Sequence, residues 1–281
     1  MPFIAIAGAG ALGGALAQRL ASRARTGEVR LIDERADIAQ GKALDIQQSG
    51  PIDGFNTRLS AAGSLEAAAG ADAIVIADAA AGDQEHSGEA GLSLIRRLAA
   101  VEVSAPFIFA GTAQRSVLAR AASELRIPRR RLIGSAPYAL ESAVRALAAL
   151  EADASGVEIQ LRVVGVPPDA AVIAWEEATA FGQPISATLP PHRLAAISAR
   201  LPRLWPLGPL ALASAAARVA EAVANGSRRR YSCFVCMGEG AMPGAVLALP
   251  AELGRGGLVR IHQPSLTRQE QTLLDNAAAF S

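Results

Sequence analysis

Phe3-Ile4-Ala5-Ile6-Ala7-Gly8-Ala9-Gly10-Ala11-Leu12-Gly13-Gly14-Ala15-Leu16-Ala17-Gln18-Arg19-Leu20 decides the fold of this chain. The apolar run predicts a buried strand. A Gly-x-Gly-x-x-Gly turn at Gly8, Gly10 and Gly13 follows, and a helix is expected from about Gly13 to Ala24. Such a turn gathers backbone N–H groups and the positive end of a helix at one point, an arrangement that suits a diphosphate. A second strand, Glu28-Val29-Arg30-Leu31-Ile32-Asp33, ends in an acid. Asp33 stands where a carboxylate meets the hydroxyls of a ribose. An Ala/Gly-rich chain meets the glycine spacing by chance, so the alternative is a plain strand–turn–helix with Asp33 as a solvated cap. The strand before the turn, the helix after it and the placed acid together favour a dinucleotide-binding Rossmann unit.

The bulk properties agree. The 281 residues are 51% hydrophobic and 19% charged, with a formal net charge of +1. That balance excludes a nucleic-acid binder, because neutralising phosphates needs a basic face. The triplets Arg129-Arg130-Arg131 and Arg228-Arg229-Arg230 are expected at solvated element ends. No apolar run reaches the length of a membrane span. Cys233 and Cys236 have metal-site spacing, but they fall in a predicted strand. Residues three apart on a strand face opposite sides, so buried structural thiols are expected and no metal. With Met1-Pro2-Phe3 leading directly into a strand, a cytoplasmic location is expected.

The rest of the chain alternates strand and helix. A helix is expected over 36–48 and a turn at Pro51–Gly54. A short strand follows at 57–60, then a short helix capped by Ser64. Strands at 73–77, 106–110 and 132–134 alternate with helices at 88–102 and 116–125. This rhythm predicts a doubly wound parallel sheet. From Leu140 it changes. Helix 141–150 leads to an alternating, antiparallel-type strand at 158–164. A long Ala-rich helix (210–224), a hairpin (231–237 with 245–249) and a last helix from Thr267 to Phe280 complete the chain. Thr267 and Glu270 have capping-box spacing. The fold class expected is α/β: a Rossmann domain over 1–139, followed by an α+β domain over 140–281.

Four stretches resemble the lactate/malate dehydrogenase family. They are the opening strand and glycine turn; Gln40-Gly41-Lys42-Ala43-Leu44-Asp45 with Pro51 and Gly54-Phe55; Arg131-Leu132-Ile133-Gly134 followed by Leu140-Glu141-Ser142-Ala143; and the C-terminal order of Ala-rich helix, hairpin, Gly254-Arg255-Gly256-Gly257 and final helix. The resemblance implies NAD as cofactor, held at Gly8, Gly10, Ala11, Leu12, Gly13 and Asp33. It favours NADH over NADPH, since Asp33 opposes a 2′-phosphate, a preference that Arg35 softens. It also implies a homo-oligomer, dimer or tetramer, with the Gln40–Gln48 helix at the interface.

The family's reaction is hydride transfer to or from a 2-hydroxy acid, and here the residues depart from its pattern. Gly82 and Gly88 stand where the mobile loop carries arginines. Gly111-Thr112 replaces an Asn-Pro pair. The aspartate that orients the catalytic histidine aligns with Glu141, and the arginine after it aligns with Val144, beside Arg145. Pro167, in Gly165-Val166-Pro167-Pro168-Asp169, replaces the histidine itself. Proline cannot exchange a proton, and without guanidinium forks nothing grips a carboxylate in two places. Ordinary malate or lactate turnover is therefore not expected. The alternative is an active oxidoreductase of the family with a different, non-dicarboxylate substrate. Glu141 and His86 are then the candidate catalytic residues, with His86 on an acidic loop beside Asp83, Glu85 and Glu89. Tyr138 is read as packed, Asp169 as a turn residue, and His192 and His262 as surface residues.

Overall fold

A computed structural model describes residues 1–82, 84–238 and 244–279. Strand β1 (Phe3–Ala7) leads through the glycine turn into α1 (Ala11–Arg23). Then come β2 (Glu28–Ile32), α2 (Ala36–Asp53), β3 (Arg58–Ala62), β4 (Ala73–Ile76), α3 (Gly88–Val101), β5 (Phe107–Phe109), α4 (Arg115–Ser123) and β6 (Leu132–Gly134). Strands β3-β2-β1-β4-β5-β6 lie in that order and pair in parallel. Strands β1, β4, β5 and β6 are almost wholly buried, as parallel strands covered on both faces must be. The expected doubly wound sheet is present.

Helix α5 (Ala136–Glu151) spans the expected domain boundary. It is followed by β7 (Ile159–Gln160), β8 (Val163–Val166), β9 (Ala170–Ile173), β10 (Thr179–Ala180), β11 (Gln183–Pro184), α6 (Pro191–Arg200), α7 (Pro209–Asn225), β12 (Arg230–Cys236), β13 (Val246–Gly254), β14 (Gly257–Ile261) and α8 (Arg268–Ala279). The sheet does not stop at β6. Strand β12 pairs antiparallel with it, and β13, β8 and β9 extend the same sheet, with β14 beside β13. A separate three-stranded sheet is made of β11, β10 and β7. Helix α7 brings a nearly continuous set of buried small side chains against α1 and α5. Across that seam Arg23 grips Glu221 with two bonds of 2.6 and 2.8 Å.

Several sequence expectations are corrected. The turn expected at Pro51–Gly54 is the last turn of α2, which carries Pro51 inside it and ends at Gly54, with φ +76°. Ser64 does not cap with its side chain; its hydroxyl bonds to Glu66 instead. The strand expected at 158–164 is two strands in different sheets, and α6, β9, β10, β11 and β14 were not foreseen. Arg131 is buried rather than solvated: its guanidinium donates to the Ala105 carbonyl and lies over the Phe107 ring. The capping box is present, with Thr267 N–H donating to Glu270 (2.8 Å) and Glu270 N–H donating to Thr267 Oγ1 (3.2 Å). Cys233 and Cys236 are free and buried in β12. Among the described residues no group of acids, histidines and cysteines can hold a metal, and no single helix is long and apolar enough to cross a membrane.

Candidate functional site

The site lies at the carboxyl ends of β1, β2, β4 and β5. The β1–α1 turn is as tight as its glycines require. A side chain at Gly13 would put its first carbon 2.2 Å from the Gly8 carbonyl oxygen. The second glycine normally leaves room for a phosphate to approach the backbone. Here that room is filled. A side-chain carbon at Gly10 would meet the Asp78 carboxyl at 2.5 Å.

Asp78 follows β4 directly and is 3% exposed. Its Oδ2 accepts the Leu12 N–H at 2.9 Å and its Oδ1 accepts the Gly13 N–H at 2.8 Å. Its carbonyl accepts the Gly10 N–H at 3.0 Å, and the Gly8 N–H goes to Ile32 at 2.8 Å. Asp33 lies at the end of β2, as expected. Its Oδ2 accepts N–H groups from Ala9 (2.9 Å) and Ala80 (2.8 Å), and its Oδ1 accepts that of Arg35 (2.9 Å). Lys42 reaches over from α2 and donates to the Ala9 and Gly10 carbonyls, both at 2.7 Å. Ala11 opens α1 and is exposed. The residues expected to hold a cofactor are thus brought together, but the amides of Gly8, Ala9, Gly10, Leu12 and Gly13 have partners within the protein.

The loop after β4 folds inward in the same way. The Ala79 N–H donates to the Gln84 carbonyl and the His86 N–H to the Ala77 carbonyl. This aims Glu85 at the segment between β5 and α4. The Glu85 carboxylate accepts the Thr112 N–H (2.8 Å), the Ala113 N–H (2.7 Å) and the Thr112 hydroxyl (3.1 Å). Glu85, one of the acids of the loop, is therefore a structural acid held by backbone N–H groups. Asp83 lies outside the described residues. Gln114 is fully buried, and its side chain bonds to Gly111, Ala77 and His86.

The two candidate catalytic residues have separate partners. Glu141 is fully buried in α5; it accepts the Ser232 hydroxyl at 2.6 Å and an Arg162 N–H at 3.0 Å. Burial pushes its pKa up, opposed by the charge of Arg162 and the bond from Ser232. No histidine bonds to it among the described residues. Pro167 and Pro168 form a cis peptide in the turn between β8 and β9, and Asp169 is exposed in that turn. His86 lines a cavity with Asp33. Burial pushes its pKa down, against the charges of Asp33, Asp78 and Glu34. Val144 is buried, and Arg145 donates to the carbonyls of Ile159 (2.8 Å) and Gly156 (3.1 Å). Tyr138 packs edge-on against Tyr231. His192 is exposed, whereas His262 is half-buried and bonds to Glu252 at 3.0 Å, so it is not a free surface residue.

Asp78 was missed from sequence. Its signal was an acid following the buried strand Ala73–Ala77, which in a parallel sheet delivers it beside the β1 turn. What remains open is a cavity of about 220 Å³ next to Asp33, walled by Leu65, Ala79 and Leu94, with His86 and Arg97 also lining it.

Residues 3–105 match the lactate/malate dehydrogenase NAD binding domain. Malate dehydrogenase of Thermomicrobium roseum is 29% identical over 296 residues, covering 98% of this chain and 94% of that one. Malate dehydrogenase of Roseiflexus sp. is 28% identical, with 99% and 95% covered. Two solved structures share the fold. Malate dehydrogenase from Salinibacter ruber has a TM-score of 0.87 at 23% identity, covering 99% of this chain and 94% of that one. Lactate dehydrogenase from Cryptosporidium parvum, complexed with lactic acid and nicotinamide adenine dinucleotide, has a TM-score of 0.86 at 20% identity, with 99% and 95% covered. NAD is the cofactor that the domain match supports. The cavity beside Asp33 fits its adenosine part. The turn, with Asp78 on the amides of Leu12 and Gly13, does not fit its diphosphate. With its parallel sheet, its glycine turn and residues 3–105 matching that NAD binding domain, the chain has the fold of the lactate and malate dehydrogenases and is similar to them over nearly its whole length.

Proposed function

We propose that this chain is a catalytically silent member of the family, a ligand-binding protein without malate or lactate dehydrogenase turnover. The observation that carries this reading is the environment of Glu141. The carboxylate aligned with the orienting acid is bonded to Arg162 and Ser232, and Pro167 stands where the histidine belongs. Removing a general acid/base costs a factor of about 10² to 10⁴, and an arginine clamp lost as well removes substrate binding. The arginine nearest the aligned clamp, Arg145, is spent on two backbone carbonyls. Any dinucleotide engages Gly8, Gly10, Ala11, Leu12, Gly13 and Asp33 in competition with Asp78.

The protein works as a homo-oligomer. Exposed Leu44 and Ile52 on α2 and Leu210 on α7 leave apolar side chains uncovered on the single chain. Two free, buried cysteines suit a reducing compartment, the cytoplasm. The test is calorimetric titration with malate, lactate and oxamate in the presence of NAD(H). The expected result is no binding heat at millimolar ligand. Saturable binding of any of the three acids would overturn the loss of the clamp.

A further inference from the structure

We propose that the cavity beside Asp33 takes a nucleoside that lacks 5′-phosphates, and that Asp78 makes this selection. The inference names the ligand of the binding protein proposed above and rests on that reading. The cavity is about 220 Å³ and mostly apolar, walled by Leu65 and Leu94, with Asp33, Glu34, Arg35, His86 and Arg97 also lining it. Pockets for larger ligands run from about 300 to 1,000 Å³, so this one suits a base with its sugar rather than a whole dinucleotide. Asp33 has three N–H partners, two on Oδ2 and one on Oδ1. A carboxylate offers about four acceptor positions, so Oδ1 keeps one for a ribose hydroxyl.

The 5′ side is where the chain differs from a phosphate site. Asp78 fills the space beside Gly10 and takes the N–H groups of Leu12 and Gly13. A phosphate brought there meets a carboxylate that is acceptor-only, as the phosphate oxygens are. No hydrogen bond forms between them, and like charges face each other at short range in a site screened from water. A 5′-hydroxyl is different, because it donates to the same carboxylate. Lys42 keeps its charge beside the turn but commits two of its three N–H donors to the carbonyls of Ala9 and Gly10. Arg35 also lines the cavity, and its guanidinium is paired with Asp37. Glu85 carries the same rule into the neighbouring loop, where it holds the amides of Thr112 and Ala113.

The experiment is calorimetric titration of the full chain with adenosine, AMP, ADP and NADH, repeated on Asp78→Asn and Leu65→Trp, with thermal melts to confirm folding. Asparagine keeps one acceptor for the turn and removes the charge. Adenosine should bind the unaltered chain at least about tenfold tighter than ADP or NADH. In Asp78→Asn, ADP and NADH should tighten by at least about tenfold and the preference for adenosine over them should be lost. Leu65→Trp should lose adenosine binding by filling the cavity. The proposal is overturned if the unaltered chain prefers ADP or NADH, if adenosine does not bind, or if Asp78→Asn leaves the preference unchanged. Tight NADH binding without turnover of oxaloacetate sinks this ligand assignment alone. Turnover sinks the catalytically silent reading as well.

Discussion

Asp78, Asp33 and Glu85 each put a carboxylate on backbone N–H groups at the rim of the sheet. N–H groups held by ionised acceptors are among the stronger hydrogen bonds in proteins, so the rim is well held without a ligand. The partners of Glu141 show a similar economy. Arg162→Met should destabilise the fold by about 3 kcal/mol, because it leaves a buried acid short of its charge partner. Adding Glu141→Gln to that variant should restore much of the loss, which chemical denaturation of the single and double variants would measure. His86 gives a pH prediction. Burial holds its pKa below the ordinary 6.5. Below about pH 6.5 the unfolded chain therefore takes up a proton that the folded chain resists, and stability falls as the pH drops through that window. Melting temperatures from pH 7 to pH 5 should decline less steeply in His86→Gln than in the unaltered chain. A steeper decline in the variant would reverse the sign. Of these residues, Asp33 was legible in sequence because its spacing from Gly13 is set by one strand–helix–strand unit. Asp78 and the inward turn of Glu85 were not, because each depends on which strands become neighbours.

The elements were legible where burial acts on both faces or along one stripe. Strands β1, β4, β5 and β6 are unbroken apolar runs, and they fold as such. Legibility failed where tertiary contacts override local signals. Pro51 reads as a turn, yet packing of α2 carries the helix on to Asp53, where Gly54 in a left-handed conformation ends it. The short strands β7, β10 and β11 have two residues each, too few for any alternation to show. The β1–α1 junction is the element whose geometry has least slack. Gly13→Ala would set a methyl group against the Gly8 carbonyl oxygen. Overpacking of this kind costs about 1–3 kcal/mol, and equilibrium unfolding should show a loss in that range. A loss near zero would mean that the turn can shift to make room.

On the scale of the molecule, one sheet runs through β6 and β12 and ties the two halves together. The likeness runs over nearly the whole chain, with 98% of it aligned to a malate dehydrogenase at 29% identity. The uncovered apolar side chains at Leu44, Ile52 and Leu210 predict self-association. Sedimentation should show a dimer or tetramer at micromolar concentration, and Leu44→Glu should weaken it if α2 lies in the interface. A monomer in the unaltered protein would remove the oligomer from the account. In the reading proposed here, Pro167 replaces the proton donor and Gly82, Gly88 and Val144 replace the arginines. That pairing of retained fold and missing chemistry is the central claim. Its most direct test is the loss of NADH absorbance on mixing the purified chain with NADH and oxaloacetate, and then with NADH and pyruvate. The rate should be no different from that of the mixture without protein. Protein-dependent oxidation of NADH that scales with enzyme concentration, with either acid, would contradict it.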